Sequence, residues 1–412
     1  MTNTVELSRF SGNAASVQIN PALGFAAFDA DSHYYESEDA LTRHLGKEWS
    51  RRGPKWVTIK GRQRLLLGDK VFNYIPNPTF DPVAKPGCMH DYFAAKLGGA
   101  DMKEAMGDLE PIRPEYRDRE ARLKVMDGQG VGATWLFPTL AVTIEVAYQP
   151  DIEACLATLR AFNRWLAEDW GFAYKDRIFA APVISLSDPD WAVEEIDWCK
   201  KQGAKLVSLR NGPVYTKCGA TSPGASEYDP FWARVQDANI VVAPHAGDDG
   251  YDFLGKMWEP WEDYSGFHVT PLRKVVTSQR AVPDFFGALV CHKVFERFPK
   301  LRVASIENGA SWVAPLLVRL FRGHAQTKGY YAKNPVDQFN EHIWVTPFWE
   351  DNLEALSKLM PVERILFGSD WPHVEGVVRP LDFLETVESF SAEDRRRIMR
   401  DNVAALTAGA NP

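Results

Sequence analysis

The sequence predicts a single α/β domain spanning 1–412, a closed (β/α)8 TIM barrel with long insertions after its first and fifth strands. Three observations carry that prediction. Eight short apolar runs occur along the chain, and seven of them follow a segment of helical spacing. Four of these runs end on a histidine or a carboxylate, where catalytic groups of such barrels stand. The competing arrangement, an open doubly wound sheet, lacks the GxGxxG that should follow its first strand.

Residues 1–21 read as an irregular arm. The first strand, about Phe25–Asp31, is an apolar run that breaks into the polar stretch DADSHYYE. The spacing of Glu36–Trp49, with its acidic first turn, predicts a helix starting near Ser37. Residues 50–114 contain IPNP, DPVAKPG and GGADMKEAMGD without strand–helix alternation, and read as a lid or surface insertion. Regular alternation begins after Pro114, with a helix over 115–127 and a second strand at Ala133–Phe137. Further strands are expected at Ile178–Ile184, Lys205–Leu209, Ile240–Pro244, Leu301–Ile306, Ile343–Thr346 and Arg364–Phe367, with helices between them. A second excursion, 247–279, carries Trp258, Trp261, Tyr264, Phe267 and His268. A helical region over 381–407 closes the chain.

Composition narrows the functional classes. A net charge of −8 argues against nucleic acid as the main partner. No run approaches the ~20 apolar residues of a membrane span, and the first residues lack the plan of a secretion signal. Five scattered cysteines without CxxC spacing suit a reduced, cytoplasmic protein without a thiolate metal site. Fourteen Trp, 13 Tyr and 23 Phe leave room for an aromatic-lined pocket.

The chemistry lies at the strand ends. Asp31 and His33, two apart, point to the same side of an extended backbone. The fifth strand ends in His245, the sixth in Glu307 and the eighth in Asp370, with His373 three residues on. Buried carboxylates and imidazoles need compensation, and a divalent cation serves several at once. Mixed imidazole and carboxylate ligands suit Zn, Mn or Fe. Asp31, His33, His245 and Asp370 complete one site. Glu307 and His373, with Glu36 and His292 as further candidates, then suffice for a second metal ~3.5–4 Å from the first. A hydrogen-bonded network without metal is the alternative. Arg210, after the fourth strand, is a candidate anchor for a carboxylate or thioester oxygen, or else an internal ion-pair member. Tyr34 or Tyr35 is a candidate donor behind the ligands, and His342, at the wrong end of the seventh strand, reads as structural.

The motifs FDADSH, VVAPHAG, VFERFPKLRVASIENGASWV and ILFGSDWPH resemble the amidohydrolase-related metal-dependent barrels that include the aminocarboxymuconate-semialdehyde and resorcylate decarboxylases. By motif, His33, His245 and Asp370 match family metal ligands, and Asp31 stands where many relatives have His or Glu. At Glu307 the chain reads ENG where the decarboxylases have a catalytic His in HGG. DADSHYYE, that glutamate and SDWPH together resemble the barrel-type non-haem diiron monooxygenase of platensimycin and platencin biosynthesis. This second resemblance implies an oxidoreductase of secondary metabolism. Two Fe ions would activate dioxygen, an electron donor would supply reducing equivalents, and the substrate would be a bulky apolar acyl group, CoA-linked in some relatives. In that setting Glu307 and Glu36 are catalytic candidates. The competing expectation is a hydrolase or decarboxylase holding one Zn or Mn, in which Glu307 or Glu36 shuttles protons. A third is a non-enzymatic binding barrel. The substrate's identity and any homo-oligomeric state are not readable from the sequence.

Overall fold

The computed structural model describes residues 16–99, 102–262, 270–277 and 279–410. His268, Tyr264 and Phe267 of the second excursion, and most of the N-terminal arm, lie outside them.

Strand β1 (Ala27–Tyr34) is buried at every position. Strands β2 (Pro54–Ile59), β3 (Arg62–Leu67) and β4 (Lys70–Val71) form a separate antiparallel sheet inside the first insertion. The barrel continues with β5 (Val131–Pro138), β6 (Ile178–Ala180) and β7 (Leu206–Arg210). A small hairpin follows, β8 (Val214–Thr216) with β9 (Gly219–Thr221), and then β10 (Val241–His245), β11 (Val303–Ser305) and β12 (Ile343–Val345). Every pairing among the barrel strands is parallel, in the orders β1-β5-β6 and β12-β11-β10-β7. Two seams close the cylinder. Ser208 N donates to Pro182 O (2.8 Å) and Ile184 N to Ser208 O (2.9 Å). The eighth stave, 365–367, is too short for a regular strand, yet Leu366 N donates to Val345 O (2.9 Å) and Ala30 N to Phe367 O (2.8 Å).

Alternate residues fill the interior, among them Phe28, Trp135, Phe179, Val241, Ile306 and Leu366. Val403, Ala404 and Leu406 of the last helix join this cluster, and Trp135 Nε1 donates to Thr407 Oγ1 (2.9 Å). The terminal helix therefore plugs the amino ends of the strands, leaving their carboxyl ends as the mouth. Among the described residues, no helix is long and apolar enough to cross a membrane.

Several expectations are corrected. The helix from Ser37 does not form. Residues 38–44 make turns, and only Lys47–Trp49 is a short 3-10 helix. Trp56 Nε1 takes the Glu38 carbonyl (2.6 Å), and Asp39 binds the Ser37 hydroxyl and the Arg43 guanidinium, so local side chains outcompete the helical ladder. The first insertion is also more regular than expected. Lys60 (φ 50°) and Gly61 (φ 73°) make a two-residue turn of the primed type, whose twist suits a hairpin, between β2 and β3. The helix before β11 breaks at His292 and Lys293, the latter at φ 59°.

Candidate metal centre

β1 changes face before it reaches the site. Phe28 and Ala30 pack in the barrel interior, yet Asp31 and His33 reach the cluster at the mouth. A register shift between Asp29 and Ser32 supplies the extra residue that flips the alternation. Asp29 holds this bulge. Its Oδ1 accepts from Asp31 N (3.0 Å) and Ser369 N (3.0 Å), and its Oδ2 from the Ser369 hydroxyl (2.5 Å). Gly368 permits the close approach, since a Cβ there would lie 2.7 Å from Asp31 Cβ.

Five donor atoms from four staves converge. His33 Nε2 lies 3.4 Å from each of Asp31 Oδ1, Glu307 Oε2 and Asp370 Oδ1. His245 Nε2 lies 3.6 Å from Asp31 Oδ1 and 3.3 Å from Glu307 Oε2. Ligands about 2.0–2.2 Å from one ion stand roughly 2.8–3.6 Å apart in octahedral or tetrahedral geometry, so the spacings among Asp31, His33, His245 and Glu307 match one coordination shell, which Asp370 adjoins through His33 and Glu307. Asp31 Oδ1, Asp370 Oδ1 and both Nε2 atoms are buried without a hydrogen-bond partner, which a cation would remedy. Glu307 (φ 55°) and Asp370 (φ 54°) both adopt left-handed backbone, an unusual state for non-glycine residues that is held here to aim two carboxylates inward.

The imidazoles are set for ligation. The Ala246 carbonyl accepts from His245 Nδ1 (2.7 Å), leaving the Nε2 lone pair toward the cluster. His33 stacks on His373 with ring centroids 3.8 Å apart. The Thr139 hydroxyl gives its proton to Tyr34 O (2.8 Å), so at 2.9 Å it accepts from His373 Nε2. The His373 Nδ1 lone pair then faces Asp370 Oδ1 at 2.7 Å, and two acceptors that close require a proton or cation between them. Burial, followed by the carboxylates Glu307 and Glu375, holds Asp370 well above the usual carboxylate range. Burial and the neighbouring His33 and His245 hold His373 well below the usual imidazole value. Burial alone would lower His33, but the Asp31 and Glu307 carboxylates 3.4 Å from its Nε2 outweigh it and lift His33 to about 9, the response of a cluster that wants positive charge.

Other expected site residues are placed differently. Glu36 closes the turn after β5: its Oε1 accepts from Leu140 N (2.8 Å) and Ala141 N (2.9 Å), and burial raises its carboxyl to about 7. Arg210 is committed within the protein, 3.4 Å from Glu145 and donating to the carbonyls of Asp249 (2.8 Å) and Pro213, because a buried guanidinium demands such partners. His292 lies outside the cluster at a helix end, its Nδ1 2.7 Å from the Ser222 hydroxyl. The Tyr35 hydroxyl donates to Pro372 O (3.3 Å) and steadies the loop after the eighth stave. His342 meets Leu301 O (2.8 Å) behind the barrel.

The sequence did not single out Asp29, Arg122 or Glu375. Buried Arg122 donates to the Ser32 hydroxyl (3.1 Å) and the His33 carbonyl, fixing the end of β1 from a neighbouring helix. Nothing in its helical spacing marks it. Asp29 was visible in DAD, one alternation before Asp31.

A cavity of about 250 Å³ opens onto Asp31, Glu307 and Asp370, with apolar walls from Phe93, Phe348, Trp349 and Val377. Phe93 comes from the first insertion, which is docked on the loop after the eighth stave. Gly87 N donates to His373 O and Met89 N to Val374 O, both at 2.9 Å, and His90 stacks on Trp349.

Comparison with known proteins places this geometry among relatives. An amidohydrolase from Mycobacterium avium subsp. paratuberculosis K-10 has a crystal structure similar to this one at TM-score 0.89 and 41% identity, over 93% of this chain and 100% of that one. A gamma-resorcylate decarboxylase from Rhodococcus jostii (strain RHA1) is 26% identical over 307 residues, 70% of this chain and 87% of its own. A dihydroxybenzoic acid decarboxylase from Polaromonas sp. JS666, solved with manganese and 2-nitroresorcinol, shares the fold at TM-score 0.56 and 21% identity, over 78% of this chain and 93% of that one. These relatives overturn the expectation of an oxidoreductase: the curated match is a decarboxylase, and none of the three is a monooxygenase. Two Fe ions, dioxygen, an electron donor and a CoA-linked acyl substrate rested on the monooxygenase resemblance alone and are not carried forward. The amidohydrolase family model matches residues 94–406, about three-quarters of the sequence, and the chain belongs to that family.

Proposed function

We propose that this protein is a divalent-metal-dependent decarboxylase of a small aromatic carboxylate. The observation that carries the reading is the convergence of Asp31, His33, His245, Glu307 and Asp370 beneath an apolar-walled cavity, in a chain related to gamma-resorcylate decarboxylases. Asp31, His33, His245 and Asp370 would hold one Mn or Zn ion, with Glu307 and His373 against it. The donors form two overlapping groups that share His33 and Glu307. A single Nε2 lone pair serves one ion, which supports one metal rather than two. When bound, that metal would chelate the substrate carboxylate and draw off the charge left on the ring as CO2 departs.

The chain's own groups do the rest. Phe93, Phe348 and Trp349 offer flat apolar walls for a ring and exclude water. Glu307, 3.3–3.4 Å from both imidazoles, would carry a proton to the ring carbon. The insertion 50–114 would roof the mouth, with 247–279 as a second lid segment.

Hydrolysis of an acyl bond is the second reading. Glu307 favours it, because a carboxylate suits a base acting on water. One experiment separates the two readings. Manganese-loaded protein incubated with dihydroxybenzoates should release CO2 and the matching phenol. Turnover of an ester or amide panel without CO2 release would instead establish hydrolysis.

A further inference from the structure

We propose that Asn308 is a positioning residue for the metal centre: its side-chain amide grips the peptides that carry His245 and Glu307 and so sets the distance between those two donors. This rests on the reading of the cluster as a metal site and names the group behind the donors that holds it in shape.

In the ENG stretch, Glu307 faces the cluster while the buried Asn308 turns back along the strand ends. Its Nδ2 donates to Ile306 O (2.8 Å), Ser305 Oγ (3.2 Å) and Pro244 O (3.3 Å), two protons shared among three acceptors. Both carbonyls can only accept, which fixes the amide with its nitrogen toward them. Its Oδ1 then faces Asn211, whose Nδ2 donates to it at 2.7 Å. Asn211 directly follows β7, so one amide ties the ends of β7, β10 and β11.

The two carbonyls are those that matter to the site. Pro244 O belongs to the peptide entering His245, and Ile306 O to the peptide entering Glu307. The second peptide is held at both of its polar groups, because Glu307 N donates to Thr346 Oγ1 (3.1 Å). Pairing of β10 with the β11 stave stops at this point. Ile306 N donates to Pro244 O (3.0 Å) and Ala246 N to Ile306 O (3.2 Å), and Glu307 then leaves the ladder at φ 55°. A glutamate in left-handed backbone needs outside support, and the Asn308 amide takes the place of the next rung. The donors that it braces, His245 Nε2 and Glu307 Oε2, stand 3.3 Å apart. Asn211 Oδ1 is left buried without a partner, which costs stability, so barrel closure alone does not account for the pair.

The test is isothermal titration of manganese into metal-free protein. Asn308→Ala should weaken manganese binding about 10- to 100-fold, the range for groups that orient metal ligands, with far-UV circular dichroism unchanged. Asn211→Ala leaves the grip on the two carbonyls in place and should weaken binding less. In a Glu307→Ala background the Asn308→Ala change should cost less than in the wild type, because one of the two donors it positions is gone. Wild-type affinity in Asn308→Ala together with a lowered Tm makes Asn308 a stitch of the barrel, and overturns the proposal while leaving the metal reading intact. An undiminished loss in the Glu307→Ala background does the same. If Asn308→Ala does not fold, Asn211→Ala decides: weakened binding supports the proposal and wild-type affinity overturns it. Failure of the wild-type protein to bind manganese overturns the metal reading and this inference with it.

Discussion

Glu36 rests one carboxylate oxygen on two backbone amides and buries the other without a partner. Its folded-state value of about 7 lies above the ordinary 4.5, so the folded protein binds this proton more tightly than the unfolded chain. The corresponding stability is complete below about pH 4.5 and is lost as pH rises through about 7, up to about 3 kcal/mol in all. Urea unfolding of metal-free protein should therefore show a negative slope of stability against pH between 5 and 8 from this residue, and Glu36→Gln should flatten it. At the metal cluster, His245→Ala removes an imidazole whose tautomer is fixed by the Ala246 carbonyl. Metal affinity should fall by about 100-fold or more, with far-UV circular dichroism unchanged. Full manganese loading of that variant by elemental analysis would take His245 off the ligand set.

Among the elements, the first insertion matters most to the site. It read as irregular because no single period runs through it, yet the two positive-φ residues Lys60 and Gly61 are a local hairpin signal. Its docking segment depends on Gly87, at φ 65° with space for a Cβ only 2.7 Å from Val378 N. Gly87→Ala should cost about 1–2 kcal/mol in backbone strain, plus the clash, and lift the 87–93 strap from the loop carrying His373. Steady-state kinetics should then show a raised KM with a smaller change in kcat, because Phe93 leaves the wall while the ligands stay. β1 makes the complementary point. Its apolar run and its polar end were both legible, but the bulge that re-aims Asp31 is a property of pairing with β5 and of the Asp29–Ser369 contact.

For the whole molecule, the proposed ion ties together β1, β10, the turn after β11 and the loop after the eighth stave. Binding to the folded state alone stabilises by about 4 kcal/mol when free metal exceeds Kd a thousandfold. Chelation should therefore lower Tm, and manganese should restore it with a dependence on its concentration. A Tm indifferent to both would leave the cluster as a polar network. The plug formed by Val403, Ala404 and Leu406 closes the opposite end, so access is confined to the mouth.

Alternating apolar runs and helical segments, with histidine and carboxylate at the run ends, were sufficient to read the barrel and to put forward Asp31, His33, His245, Glu307 and Asp370 as ligand candidates. Both signals are local, because period and punctuation follow from burial within a few residues. The fates of Arg210 and His292 were not local. Arg210 is claimed by Glu145 and His292 by Ser222, partners distant in sequence that no spacing reveals. The same holds for Arg122, whose hold on Ser32 and His33 exists only because the chain closes on itself. The sequence by itself determined which residue types reach the strand ends. Only the folded chain decided which of their donor atoms face one another across 3–4 Å, since that distance is set by packing and not by order along the chain.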